Sequence, residues 1–363
     1  MRLVATKSIQ TRTTLAKTIY NENGRILLQK GVELTDKMIT RLIQLNITYV
    51  YISDSDSDDI MITPPITDEL RVESYRTIKS SFAQFQKEGL AKKSFVFEKT
   101  GRKMANIVKK ILNQLQSSEE VLSILSDILI NDDYIFTHSL NVTIYSLALG
   151  TELRLTEQQL EEIGLGAILH DVGKVFLPTK VIQKKGELTD EEFEIIKGHT
   201  EAGFEFLRKI PNIPLVSAHC AFQHHERLDG SGYPRALKDC EIHFYAKLIT
   251  IADVFDAVTS NRVYRDAMLP HEGMEILYAG VGTLYDKKMV EAFRRSIAVY
   301  PNGLKVQLSD GRSGVVLQQN KHLCDRPIIR ILQEDGKDVE ELYELDLAET
   351  LNIVIAACET TFQ

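Results

Sequence analysis

Cysteine is sparse and poorly placed for metal or disulfide work. The four residues, Cys220, Cys240, Cys324 and Cys358, form no Cys-x-x-Cys pair. That pattern argues against a zinc ribbon and fits scattered reduced thiols. Long apolar runs are missing as well. No stretch approaches the roughly 18 apolar residues of a membrane span, and the polar opening from Met1 to Thr14 lacks the apolar core of a signal peptide. The expectation is a cytoplasmic chain with no membrane span. Positive charge does not dominate either: 43 Lys and Arg stand against 51 Asp and Glu, for a formal net charge of -8. Such a balance disfavours long nucleic acids and anionic membranes as partners. It leaves room for a small anionic substrate held by local Lys, Arg and metal. No internal repeat is visible.

What remains is an ordinary globular composition. The 363 residues are 44% hydrophobic and 26% charged, enough for a sizeable core and about two or three domains. Residues 1–60 read as a small α+β module. Asn21-Glu22-Asn23-Gly24 is a turn signal between two strand candidates, Leu15 to Tyr20 and Arg25 to Gln29. Thr35 can cap a helix bearing Met38, Ile39, Leu42 and Ile43, and Ile47 to Ile52 reads as a strand. The run Ser53-Asp54-Ser55-Asp56-Ser57-Asp58-Asp59 cannot pack a core and is expected to be a linker or exposed loop. It lacks the Gly and terminal Glu of an EF-hand.

From about Thr67 the pattern is helical. Residues 61–116 are expected to be connecting helices, with Ile78, Phe82, Phe85, Ile107, Ile111 and Leu115 as an apolar stripe. Such a stripe ordinarily packs against its own chain, although a homodimer is another use for it. Residues 117–300 read as an all-α domain. Thr156-x-x-Gln159 and Thr189-x-x-Glu192 are capping boxes. The first opens a helix ending near His170, and the second a helix carrying Phe193, Ile196 and His199. Residues 301–363 change character. Leu304 to Leu308, Gly314 to Gln318 and Pro327 to Leu332 read as strands, and Ser309-Asp310-Gly311 and Glu334-Asp335-Gly336 as turns. The expected fold is therefore mainly α, with a helical-bundle core between a small α+β module and a small β module.

Five of the nine histidines fall in an order that packing does not explain: His138, then His170-Asp171, then His199, then His224-His225. Asp253 completes the series. A lone His138 would ordinarily be a packed or surface residue, and one His-Asp pair says little. Adjacent His224 and His225 are more pointed, because two imidazoles are costly to bury without partners. Mixed imidazole and carboxylate ligands suit iron, manganese, zinc or nickel. Seven ligands are too many for one tetrahedral zinc but suit two ions bridged by a carboxylate. His219, His243, His271 and His322 stand outside the pattern.

The stretch His170-Asp171-Val172-Gly173-Lys174 resembles the signature of the HD superfamily of metal-dependent phosphohydrolases. His224-His225-Glu226-Arg227-Leu228-Asp229-Gly230-Ser231-Gly232-Tyr233-Pro234 resembles the second signature of its HD-GYP subfamily. The resemblance covers roughly Asp133 to Val299, with weaker similarity on both flanks, and implies an HD-type helical bundle. The family hydrolyses cyclic di-GMP to linear pGpG and sometimes on to GMP. Carried over, it implies one ion held by His138, His170, Asp171 and Asp253, and a second by Asp171, His199, His224 and His225. Iron or manganese come first among the expected ions, then zinc, nickel or magnesium. Some members hold a third ion through a Glu four residues before the first histidine. Tyr134 stands there in this chain, so two ions are expected.

The resemblance also implies a mechanism in which a hydroxide bridging the two ions attacks phosphorus. Asp171 and Lys174 are then the catalytic candidates. Lys174 lies one turn after His170 and could stabilise charge on a phosphate oxygen. Tyr233 is expected to touch the substrate or order its loop, whose glycines allow close backbone approach. Asp256, Arg262 and Arg265 are expected near the nucleotide, and forked Arg donors suit phosphate and guanine edges. The alternatives are hydrolysis of cyclic GMP-AMP, and a weakly catalytic receptor for a cyclic dinucleotide.

Overall fold

The computed structural model describes residues 1–21, 25–88, 94–118, 122, 129–130, 134–184, 186–260 and 267–360. They fall into two compact units, one of Met1–Pro65, Glu119–Asp132 and Arg294–Gln363, the other of Ile66–Ser118 and Asp133–Phe293. The four segments expected from the sequence are thus grouped by contact into two. The first and last share a unit because the chain ends are knitted by backbone: Leu3 N donates to Gly303 O at 2.8 Å, and Leu3 bridges Leu304 in parallel. No sequence-local signal marks such a pairing.

In that unit Arg2–Ala5 runs antiparallel to Tyr49–Ile52, and Ile19–Asn21 to Ile26–Leu28. The turn residues 22–24 lie outside the described residues. Thr35 caps the helix Asp36–Gln44, accepting from Met38 N at 3.4 Å. Val4, Leu15, Ile19, Leu34, Leu42, Val50 and Ile52 form the core here. The acidic run is an exposed loop, as expected, and it is pinned by ion pairs. Arg2 pairs with Asp54 at 2.9 Å, Arg330 Nη2 reaches Asp59 Oδ2 at 2.7 Å, and Ser57 is buried. The chain ends in a five-stranded antiparallel sheet, ordered Ile355–Glu359, Lys305–Leu308, Ser313–Gln318, Ile328–Glu334, Lys337–Asp346. Asp335 and Gly336 both take positive φ, 48° and 75°, as a tight hairpin turn requires.

The other unit is helical. Its centre is the pair Tyr134–Glu152 and Glu157–Leu169. Leu140, Val142, Ile144, Leu147, Ile163, Ala167, Ile168 and Leu169 are all essentially inaccessible, so residues 138–147 and 163–169 are buried on every side rather than along one stripe. Asp68–Glu88 and Ser94–Ser117 are part of the same bundle. Phe85 and Phe97 place their rings 5.0 and 5.3 Å from Phe206, and Phe82 sits 5.7 Å from Phe136. Ile78, Phe82, Phe85, Ile107 and Ile111 are buried in this one chain, which uses up most of the expected stripe. The Thr156 and Thr189 capping boxes both form, opening Glu157–Leu169 and Asp190–Lys197. The second helix stops short of the expectation: it ends before Gly198, and His199 starts a new helix, His199–Leu207. Leu215–Gln223, Phe244–Thr259 and Pro270–Ala279 follow. Among the described residues no helix is long and apolar enough to cross a membrane.

Candidate metal centre

Each cluster residue sits where the local fold turns it inward. His138 is on the first full turn after Tyr134, in the buried helix Tyr134–Glu152. His170 is the C-terminal cap of Glu157–Leu169, and Asp171 opens the short 3-10 turn Val172–Phe176. His199 opens its helix at the Gly198 break, and His224 caps the end of Leu215–Gln223. Asp253 and Asp256 lie one turn apart on Phe244–Thr259. Thr250 Oγ1 donates to His224 O at 2.7 Å and fastens that helix to the cap.

Asp171 is the hub. Its Oδ2 is 3.4 Å from His170 Nε2 and 3.7 Å from His138 Nε2, while its Oδ1 is 3.3 Å from His199 Nε2 and 3.9 Å from His224 Nε2. Asp253 Oδ1 is 3.0 Å from His138 Nε2, and its Oδ2 is 3.7 Å from His225 Nδ1. Two donor groups meet at the hub, His138–His170–Asp171 and Asp171–His199–His224–His225, each with its ligand atoms within 4.8 Å of one another. His170, His199 and His224 are 0% exposed and Asp171 is 1%.

Two glycines make this approach possible. A Cβ on Gly173 would lie 1.8 Å from His199 O and 2.7 Å from Gly203 N, so only glycine lets the turn after Asp171 touch the helix of His199. A Cβ on Gly232 would lie 2.4 Å from Glu226 Cα and 2.5 Å from His225 O, which holds the Tyr233 loop against the histidine pair. Glu226 braces that loop by accepting from Arg235 N and Leu237 N at 2.8 and 2.9 Å.

Three of the five histidines are held ready as ligands. Burial pushes His199 down to about 4, and His224 and His225 well below their ordinary value. All three are neutral at pH 7 with a free lone pair. Burial would raise Asp171, but Lys174 and His170 more than offset it and keep it ionised. Burial is likewise outweighed at Asp253 by His138 and His225. Burial lowers His138 too, but hydrogen bonds to Asp253 and Asp256 overcome it and raise His138 to about 9. His170 Nε2 and Asp171 Oδ1 are buried and have no hydrogen-bond partner among the described residues. Buried polar atoms are seldom left so. Divalent cations held by the two donor groups would satisfy both atoms, so the residues present fit metal.

Lys174 Nζ lies 2.5 Å from Asp171 Oδ2, with its side chain 21% exposed, at the edge of the cluster. Tyr233 is half-buried with its ring 4.6 Å from that of His225 and 6.2 Å from that of Phe193. Arg262 and Arg265 lie outside the described residues. Asp256, expected beside the nucleotide, is placed by the structure beside His138 in the buried cluster. It is 1% exposed, and its Oδ2 accepts from His138 Nδ1 at 2.7 Å. The physical reason is its spacing: three residues after Asp253, it faces the same buried side of the helix. Asn141 and Ser260, which hold Asp256, went unnoticed in the sequence. Asn141 is three residues after His138 and Ser260 four after Asp256, so helical spacing was the available signal. Tyr134 stacks on His138 at 5.1 Å and 19°, with its hydroxyl 3.2 Å from Nδ1. His219 packs against Phe204 at 4.9 Å instead of joining the cluster.

An aspartate-centred cluster of histidines inside a helical bundle defines a class of metal-dependent protein. The chain belongs to the HD domain family, which matches residues 84–289. Residues 305–361 match the KOW domain associated with the HD domain. A cyclic di-GMP phosphodiesterase of Pseudomonas aeruginosa is 33% identical over 55% of this chain and 48% of its own length. One of Thermotoga maritima is 36% identical over 63% of this chain and 60% of its own. A 3'3'-cGAMP-specific phosphodiesterase of Vibrio cholerae is 30% identical over 47% of this chain and 36% of its own. The chain thus spans about half the length of the curated relatives it matches.

Proposed function

We propose that this chain is a metal-dependent phosphodiesterase that hydrolyses cyclic di-GMP to linear pGpG. The observation that carries the reading is the buried hub, in which Asp171 Oδ1 and His170 Nε2 have no partner of their own and two donor groups share one carboxylate. The names of the relatives support the substrate. Two divalent ions, iron or manganese foremost, would be held by His138, His170, Asp171 and Asp253, and by Asp171, His199, His224 and His225. Tyr134 fills the position of a third-ion ligand, which supports two. Ions so held would supply charge neutralisation and would lower the pKa of bound water, from about 15.7 toward about 7.

The chain's own residues do the rest. Lys174 presents its ammonium at the cluster edge, where it can pass from Asp171 to a phosphate oxygen of the substrate. Tyr233 walls the site beside His225. The neutral His199, His224 and His225 leave their lone pairs for metal rather than protons. Arg262 and Arg265 are proposed nucleotide contacts. Residues 117–300 are proposed as the catalytic domain, with 1–60, 61–116 and 301–363 as accessory segments.

The test is chromatography of products from metal-loaded, anaerobically purified protein given a panel of cyclic dinucleotides. Preferential conversion of cyclic di-GMP to pGpG is expected. Preference for 3'3'-cGAMP would transfer the reading to the substrate of the Vibrio cholerae relative. Binding without product would make the chain a receptor.

A further inference from the structure

The histidines of the cluster are not backed alike. His170 and His199 turn Nδ1 toward backbone carbonyls, Ala167 O and Ile196 O, each at 2.6 Å. His224 Nδ1 lies 3.1 Å from Cys220 O and from Ala221 O. His138 alone turns Nδ1 to a carboxylate outside the ligand set, Asp256 Oδ2 at 2.7 Å. That carboxylate is itself fixed. Its Oδ1 accepts from Asn141 Nδ2 and from Ser260 Oγ, both at 2.9 Å, and it is 1% exposed. Asp256 therefore does not compete for an ion; it holds the proton on His138 Nδ1.

A histidine whose far nitrogen donates to an anion is locked in one tautomer and made a stronger donor at the near nitrogen. A neutral carbonyl gives the orientation with less of the charge. The two donor groups also differ in formal charge. The His138 group adds Asp253 to the shared Asp171, with Asp256 behind it, whereas the other group has Asp171 and three imidazoles. Hard divalent cations favour the more anionic set.

Building on the two-ion reading above, we infer that Asp256 is a positioning residue for His138 and that the two ion positions are unequal. The position at His138 is the tighter one and fills first. At limiting metal the chain then holds a single ion at His138, His170, Asp171 and Asp253, and turnover awaits the second.

The test is titration of the metal-stripped full chain with manganese(II), following bound ions by calorimetry and electron paramagnetic resonance. Wild type should bind two ions in separate steps, and His138→Ala should remove the tighter step. Asp256→Asn should weaken that same step by about 10–100-fold, leaving the looser one within about twofold. Asn141→Ala keeps the carboxylate and should weaken the same step less, which guards against a folding defect in Asp256→Asn. Nitrogen-15 shifts of His138 should report a protonated Nδ1 in wild type and a loss of that preference in Asp256→Asn. Equal affinities in wild type, or a loss in Asp256→Asn shared by both steps or confined to the looser one, would overturn the inference. A wild-type chain that binds no manganese would instead remove the two-ion reading on which it rests.

Discussion

Gly173→Ala is a small change with a large geometric demand. The new Cβ would sit 1.8 Å from His199 O, and tolerable contacts begin near 3.0 Å, so the gap must open by 3.0 − 1.8, or 1.2 Å. Both neighbours named there, His199 O and Gly203 N, are backbone, so no side-chain rotation relieves the clash. The helix His199–Leu207 has to retreat from the Asp171 turn. His199 Nε2 now lies 3.3 Å from Asp171 Oδ1 and 3.3 Å from His224 Nε2. Metal ligation tolerates only about ±0.2 Å, so a shift of this size takes His199 out of the donor set. Overpacking of this kind costs about 1–3 kcal/mol, which for a unit of this size lowers the melting midpoint by about 2–12 °C. Thermal unfolding of the metal-free protein, with metal analysis and turnover, reads all three effects. The expected result is a folded variant with a lower midpoint, one bound ion instead of two, and little turnover. A Gly173→Ala protein with both ions and wild-type turnover would refute the reasoning.

Other outcomes follow from the same geometry. Lys174→Gln removes a cation 2.5 Å from Asp171 Oδ2, so ions should bind as tightly or more tightly while kcat falls about 10²–10³-fold; loss of bound metal would contradict this. Gly232→Ala should displace the Tyr233 loop from His225 and raise KM more than it changes metal content, as steady-state kinetics and metal analysis can show. Stability of the metal-free protein should vary with pH in a defined sense. His199, pushed down to about 4 in the fold, and His224 and His225, pushed well below their ordinary value, are protonated in the unfolded chain first. Stability is therefore lost as pH falls below the ordinary value of 6.5. His138, raised to about 9, contributes stability that is full below 6.5 and lost as pH rises through 9. Melting midpoints should peak near pH 6.5 and fall more steeply on the acid side, where three histidines act together; a flat profile between pH 5 and 6.5 would be inconsistent.

Local chemistry made much of this readable from the residues. The Thr156 and Thr189 caps are four-residue signals, and both form. Histidines and aspartates at His138, His170-Asp171, His199, His224-His225 and Asp253 are scarce enough in an α pattern to stand out, and the structure brings all seven together. Long-range geometry was another matter. The pairing of Arg2–Ala5 with Tyr49–Ile52, and of Leu3 with Leu304, is set between distant segments with no local mark. The break at Gly198 was hidden because Ile195, Ile196 and His199 keep helical spacing across it. The contact of Asp256 with His138 was not legible, because a motif position tells which residue is present, not which way its helix turns it. Here the buried face of Phe244–Thr259 points it at His138.

The central claim is that Asp171 joins two metal positions in a phosphodiesterase site. The most direct measurement compares wild type with Asp171→Ala, both purified anaerobically, for metal per chain and for products from cyclic di-GMP. The account predicts two ions and pGpG from wild type, and neither from a folded Asp171→Ala protein. Full metal content with undiminished cleavage in Asp171→Ala would contradict it.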